Sequence, residues 1–498
     1  MQFLDVVKNI NNAVNSAVWG WPALILLAFV GVLMTILTKV FQISHLKHWW
    51  TNTIGAIFKD RHVTKHTEDK QISQFQSLCT ALAATVGTGN IAGVASAIAI
   101  GGPGAVFWMW MMAFVGMMTN FSENVLGILY RIRNEQGEWS GGAMYYLRYG
   151  LGSKKGCKQI GAILAVLFSI FCLIASFGIG NMTQINTIAT NMNSAFSIPQ
   201  YITGIVLVIV AGLIIIGGLK RIVAVTEKLV PFMVVLYLVG TIIICIMHAS
   251  MFGEVFSAIF KGAFGMKAAA GGIVGSGVKL AIQMGMKRGV FSNEAGLGSS
   301  VMVHSNSNVK EPVMQGMWGI FEVFADTIVV CTLTAFSLLS SGLVDLETGK
   351  LISETAQTGS LVAQAFGTAF GTVGVNFVAI AILLFAFSTC LGWSHYGTKA
   401  FEYLFGTKAT IIYKVAFTIA IFGGAVMGEN LAWDLSDTFN GLMMLPNLIG
   451  VLILSPIVYR CVKNYVDRHM RKMDVKPILS MHEDIQKEQE AALRAEQK

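Results

Sequence analysis

The chain has 498 residues, 54% hydrophobic and 12% charged, with a formal net charge of +8 and a mean hydropathy of +0.64. A soluble globular chain carries about 25% charged residues, so the composition argues against a soluble multidomain protein and for a helical one embedded in a bilayer. The basic excess is what cytoplasmic loops of such a protein carry, and nucleic acid is not an expected partner. The seven cysteines form no C-x-x-C pair and mostly sit in apolar stretches, so they read as packing residues.

The N-terminal stretch MQFLDVVKNINNAVNSAVWG lacks a basic region ahead of its apolar run, and the first span is expected to be retained. Apolar runs long enough to cross a bilayer then recur along the chain. They predict eleven spans at 19–41, 76–100, 104–131, 159–190, 200–219, 225–249, 276–304, 312–341, 370–397, 409–429 and 438–461. The 159–190 and 276–304 segments exceed one crossing, and tilt, a break or an overhang must absorb the excess. Segment 250–271 is too polar and Gly-rich for a span and reads as an outer loop with a short surface helix. The tail after 462 is charged throughout and reads as a solvated helix or a disordered end.

Loop charge gives the orientation. With the N-terminus outside and the chain alternating, most of the 35 Lys and Arg residues fall in cytoplasmic loops and the C-terminal tail. The outer loops carry acids instead, among them Asp345, Glu347, Glu354, Asp434 and Asp437.

Span two is interrupted. Gly87-Thr88-Gly89-Asn90 sits about ten residues in, roughly 15 Å deep at the usual helix rise. Each glycine costs about 1 kcal/mol of helix propensity relative to alanine. A packing groove between helices and a broken helix both account for the pattern. A half-helix starting near Asn90 would aim N–H groups at an anion. The half ending near Val86 would leave carbonyls for a cation. The spacing is not a dinucleotide fingerprint, because no strand precedes it. Span seven repeats the feature at Phe291–Gly298, in Gly289-Val290-Phe291-Ser292-Asn293-Glu294-Ala295-Gly296-Leu297-Gly298-Ser299. Breaks five spans apart imply a five-plus-five repeat with an inverted second copy, and they favour the broken-helix reading. The organisation expected is an N-terminal peripheral helix and basic loop (1–75), a first repeat (76–249), an outer loop (250–275), a second repeat (276–461) and a charged cytoplasmic tail (462–498).

The run Ala84–Gly93, the turn Gly101-Gly102-Pro103-Gly104, the run Arg288–Gly298 and Leu391-Gly392-Trp393-Ser394 together resemble the alanine/glycine:cation symporter family. The resemblance covers essentially the whole chain. It implies an all-α membrane protein of the leucine-transporter fold: eleven helices, of which one N-terminal helix lies outside the 5+5 inverted repeat. It further implies symport of a small neutral amino acid, alanine or glycine, with sodium in a prokaryotic plasma membrane. Glutamine uptake with sodium, and proton-coupled or uncoupled permeation, are the alternatives. A monomer is expected, and no enzyme: neither H-E-x-x-H nor G-x-S-x-G occurs.

Val86-Gly87-Thr88-Gly89-Asn90 is also similar to the first broken helix of neurotransmitter:sodium symporters. That likeness implies a substrate carboxylate on the N–H groups of Thr88 and Gly89. It implies one sodium site from the carbonyls of Ala83 and Val86 with the hydroxyls of Ser388 and Thr389. It implies a second from the Thr85 carbonyl, Asn90 and Ser292, with Glu322 and Asp326 as candidates for a further ligand. Phe291 and Trp393 are candidate substrate contacts, and Asn181 and Gln184 could hold the amine or side chain or merely bond between helices. Glu123 reads as a structural hydrogen bond. Arg288 and Glu294 could pair with each other or with Asp326, or belong to a gate.

Overall fold

The computed structural model describes residues 2–65, 71–265, 274–352, 360–427 and 429–496. Glu354, named above for loop charge, lies outside the described residues. Among the described residues the regular elements are helices and one short hairpin, Ile132–Arg133 against Trp139–Ser140. Among the described residues eight helices are long and apolar enough to cross a membrane, and a bent pair makes a ninth.

In chain order the principal helices are α1 (Gln2–Val18), α2 (Trp21–Leu37), α3 (Gln74–Thr85), α4 (Gly89–Gly101), α5 (Gly104–Leu129), α6 (Lys158–Phe196) and α7 (Gln200–Ile215). They continue as α8 (Leu219–Met247), α9 (Phe252–Phe264), α10 (Val274–Asn293), α11 (Val301–His304) and α12 (Pro312–Leu339). The last five are α13 (Leu361–Phe370), α14 (Thr372–Phe405), α15 (Thr410–Val426), α16 (Glu429–His469) and α17 (Glu483–Glu496). The expected 200–219 span is the 16-residue α7, and 276–304 divides into α10 and α11. α10 carries Lys279, Lys287 and Arg288, more charge than an isolated lipid-facing helix tolerates.

Local chemistry sets the ends. Ser73 and Gln76 form a reciprocal capping box that starts α3, and Pro312 opens α12 at a position where its missing N–H costs nothing. Gly102 turns at φ +68 between α4 and α5. At Gly104 a side chain would strike the backbone of Gly262 and Ala263, so α5 and α9 meet backbone to backbone there. α5 is the hub: it packs along α10 and α12, with Gly316 and Gly319 of α12 admitting Phe121, Asn120 and Asn124. α7, α8 and α15 expose Ile205, Leu213, Phe232, Val239, Ile246, Ile412 and Ile419. A belt of large apolar side chains with no protein partner is what a bilayer covers.

The tail departs from the solvated or disordered reading. It runs as an extended segment into α17 and buries Leu479 and Ile485, while the Met481 N–H donates to the Leu129 carbonyl at 3.0 Å. Glu488 pairs with Arg133 at 2.7 Å. All seven cysteines are free, and all but Cys157 are buried.

Candidate functional site

α3 and α4 meet at a bend of 50° across residues 86–88. Val86 leaves the helical region at φ −80, ψ 85, and a wide helical turn follows over Gly89–Gly93. Local side chains satisfy the backbone freed there. The Gly87 N–H donates to Asn90 Oδ1 at 2.9 Å, and the Thr88 N–H donates to Gln184 Oε1 at 3.3 Å. The Thr88 hydroxyl is buried without a partner, which marks a polar position with capacity to spare.

The second interruption lies further along than the sequence suggested. Phe291, Ser292 and Asn293 are the last turn of α10, and the chain opens only over residues 294–300. Glu294, Gly296 and Gly298 have φ of +57, +96 and +72. The amide of Asn293 caps this turn by accepting the Ala295 N–H at 3.0 Å.

The two breaks face each other. A methyl on Gly89 would lie 3.1 Å from Ser292 Cα and 3.3 Å from Phe291, and one on Gly87 would collide with the Thr389 hydroxyl. Between them is a small cavity of about 10 Å³ lined by Ala84, Thr85, Gly87, Gly89, Ile179, Gln184, Phe291, Glu294, Thr389 and Trp393. That holds about one water, so the empty space is smaller than an amino acid. The stacked rings of Phe291 and Trp433, centroids 5.4 Å apart, lie beside it, with the Arg288 guanidinium over both.

Two oxygen-rich clusters flank the cavity. In one, the hydroxyls of Ser388 and Thr389 donate to the Ala83 carbonyl at 3.3 and 3.0 Å, and each also reaches back to the Phe385 carbonyl of its own helix. In the other, Asp326 accepts from Asn90 Nδ2 at 2.6 Å, from the Ser292 hydroxyl at 2.8 Å and from the Thr327 hydroxyl at 2.7 Å. Asp326 thus joins the first break to α10. Cys331 lies 3.4 Å from Asn90 and 3.3 Å from Ser292. The oxygens of both clusters (carbonyl, hydroxyl, amide and one carboxylate) are the donor set a hard monovalent cation takes, and the Cys331 thiol stands beside the second.

Not every expected residue gathers here. Asn181 is not among the residues lining the cavity, and its amide donates to the Phe417 carbonyl at 2.7 Å in α15. Arg288 pairs with neither Glu294 nor Asp326. It reaches Asp437 at 3.2 Å, and Lys287 reaches the same carboxylate at 2.7 Å. Glu123 does bond across helices, to Asn447, whose amide also holds the Gly296 carbonyl at 2.8 Å. The sequence offered Glu294 as a pairing partner of Arg288 or as part of a gate, and did not place it at the cavity. Its carboxylate lines the cavity, accepting the Trp393 indole N–H at 2.7 Å and the Ser299 hydroxyl at 2.6 Å. Its one signal in the sequence is a carboxylate between glycines inside an apolar run.

Comparison with known proteins agrees with this architecture. MhsT, solved in complex with L-phenylalanine, superposes with a TM-score of 0.51 at 15% identity, covering 80% of this chain and 99% of its own, and so shares the fold. The sodium/alanine symporter AgcS of Methanococcus maripaludis is 42% identical over 476 residues, 96% of this chain and 100% of that protein. A probable sodium/glutamine symporter of Bacillus subtilis, GlnT, is 34% identical over 97% of this chain and 96% of its own. The family model for sodium:alanine symporters matches residues 4–479, and the chain belongs to the sodium:alanine symporter family of membrane transporters.

Proposed function

We propose that this protein carries a small neutral amino acid, alanine or glycine, into the cell together with sodium by alternating access. What carries the reading is the convergence of both helix breaks, Gln184, Thr389 and Trp393 on one buried cavity. The N-terminal end of α4 presents a positive dipole end to the substrate carboxylate, which would take over the Thr88 N–H from Gln184, with Gly87 and Gly89 keeping the approach open. Gln184 already accepts from Thr88 and is within reach of the substrate. Phe291 closes one side and Trp393 another.

Sodium binds at two places on this reading. One uses the carbonyls of Ala83 and Val86 with the hydroxyls of Ser388 and Thr389. The other uses the Thr85 carbonyl, Asn90 and Ser292, and Asp326 supplies the ligand that the sequence left open between it and Glu322. Asp326 is preferred because it touches Asn90 and Ser292 directly, whereas Glu322 bonds to His304 at 2.9 Å. Binding of sodium draws α3, α10 and α14 together and orders the first break, which couples ion entry to assembly of the carboxylate cradle.

The membrane arrangement that goes with this is eleven spans, α2 followed by two inverted five-helix repeats, with the N-terminus outside and the tail in the cytoplasm. The protein acts as a monomer. The 42% identity to a sodium/alanine symporter favours alanine over glutamine, since the glutamine relative is more distant at 34%. Uptake of labelled alanine into proteoliposomes, with and without an inward sodium gradient, tests the reading. Saturable uptake that requires the gradient is expected, and equal flux without sodium would overturn the coupling.

A further inference from the structure

We propose that Glu294 is a positioning residue that holds the Trp393 ring in place and so sets how large a substrate side chain the site accepts. The inference rests on the transport reading above and goes on to name what determines its selectivity.

Three observations carry it. The first is the backbone. Glu294 sits at φ +57, a left-handed conformation that glycine or asparagine adopts far more easily. The two other left-handed positions of this turn, 296 and 298, are glycines. The chain therefore uses glycine where the turn alone matters and tolerates strain where a carboxylate must be delivered, a pattern that points to a role for the side chain.

The second is the pairing of the carboxylate. One oxygen accepts the Trp393 Nε1–H at 2.7 Å and the other accepts the Ser299 hydroxyl at 2.6 Å. Glu294 and Trp393 are buried at membrane depth, where an ionisable group is costly unless it serves a purpose.

The third is the fixing of the ring. Gly180 of α6 lies against the indole so closely that a Cβ there would come within 2.6 Å of Cγ and 2.9 Å of Cδ2. Tyr396 abuts its edge with centroids 5.4 Å apart. With Gly180 on its face and Glu294 on its N–H, the indole cannot swing aside without burying an unpaired donor. The cavity beside it is only about 10 Å³. A ring that cannot yield limits the substrate to a short side chain, and a ring freed from Glu294 admits a longer one.

The test uses the full-length protein in proteoliposomes and measures uptake of alanine and leucine for the wild type, E294A, E294Q, W393F and the E294A/W393F double variant. W393F keeps an aromatic ring and removes only the N–H and part of the bulk. E294A and W393F should each lower the alanine-to-leucine ratio of Vmax/KM by about tenfold, the scale on which apolar pockets discriminate size. The double variant should fall no further than the more affected single one, because both changes break the same link. E294Q retains a carbonyl for the indole N–H and should keep a ratio close to wild type. An unchanged ratio in E294A, with lower uptake of both substrates, would assign Glu294 a purely structural role and overturn the proposal. Effects that multiply in the double variant would overturn it too. If E294A does not fold, the same decision falls to W393F and E294Q: an unaltered ratio in W393F overturns it. Absence of amino-acid flux in the wild type would sink the transport reading itself, whereas normal alanine flux with unaltered ratios sinks the inference alone.

Discussion

The two helix breaks do different work with different chemistry. The first spans three residues, and nearby side chains close its freed groups: Asn90 takes the Gly87 N–H and Gln184 takes the Thr88 N–H. The second spans seven residues, visits the left-handed region three times, and relies on Asn293 and Asn447 to cap what it frees. One is a cut that aims a half-helix terminus at the cavity, and the other is a turn that swings a carboxylate into it. Irregular backbone at membrane depth survives only where protein satisfies it, and a short cut needs fewer partners than a long turn.

The sharpest way to break the comparison is to add one methyl at the first cut. Gly87→Ala should abolish uptake, by about 100-fold or more, since its Cβ collides with the Thr389 hydroxyl and pushes α3 off α14. Gly89→Leu, which forces bulk against Ser292 and Phe291, should do the same. Gly93→Ala is the control: its nearest neighbour would be the Thr88 carbonyl at 3.9 Å, and uptake should stay near wild type. Equal loss in all three would mean that helix flexibility, and not access to the cavity, is what these glycines provide.

The next largest effect should fall on the link between the breaks. Asp326 is the acid that binds Asn90 on one side and Ser292 on the other. Asp326→Asn keeps the shape and removes the charge. It should raise the sodium concentration for half-maximal uptake about tenfold, equivalent to ~1.4 kcal/mol. A shift in the alanine KM with sodium dependence untouched would place Asp326 on the substrate instead.

How much of this the sequence discloses depends on the reach of each signal. Glycines and polar residues in an apolar run admit few explanations, so the interruptions at Gly87 and at Gly296–Gly298 show in the residues themselves, and so does the span-like character of the helices around them. Partnership across the chain does not. Nothing near Arg288 announces Asp437, 149 positions away. Asn181 and Gln184 look alike as polar residues in one span. Yet Gln184 holds Thr88 while Asn181 bonds to Phe417, and only the packing of α15 against α6 separates them. The left-handed backbone of Glu294 is equally silent, because glutamate is not a residue that signals a turn. The docked tail was hidden by its charge, which masks the two apolar residues, Leu479 and Ile485, that anchor it.

At the second break a methyl should cost stability and not mechanism. Gly298→Ala places a Cβ 2.7 Å from Asn447 Oδ1 and 3.0 Å from the Ala143 Cβ at a φ of +72. That combination should destabilise the fold by ~1–3 kcal/mol, read as a lower melting temperature in detergent. The KM for alanine should not move in the protein that survives. A changed KM would show that the long turn shapes the cavity as directly as the short cut does.

A second effect on stability, and none on transport, concerns the far anchor of the second break, where the chain leaves α11 and starts α12. Glu311 precedes Pro312 and binds the Arg468 guanidinium and, at 2.9 Å, His469. Burial pushes the Glu311 pKa up, but hydrogen bonds and charge from His469 and Arg468 outweigh it and hold the group below the usual glutamate range. A carboxyl depressed in the folded state stabilises the fold fully above its unfolded value, and that stability is lost as the pH falls through the lowered folded value. Glu311→Gln should therefore reduce stability by about 2 kcal/mol at neutral pH, the scale of hydrogen bonds to charged groups. The gap between wild type and variant should shrink as the pH drops below the ordinary glutamate range. Uptake kinetics at neutral pH should be unchanged, because Glu311 is not among the residues lining the cavity. A gap that stays constant from neutral to acid pH would show that packing, not charge, ties α16 to the start of α12.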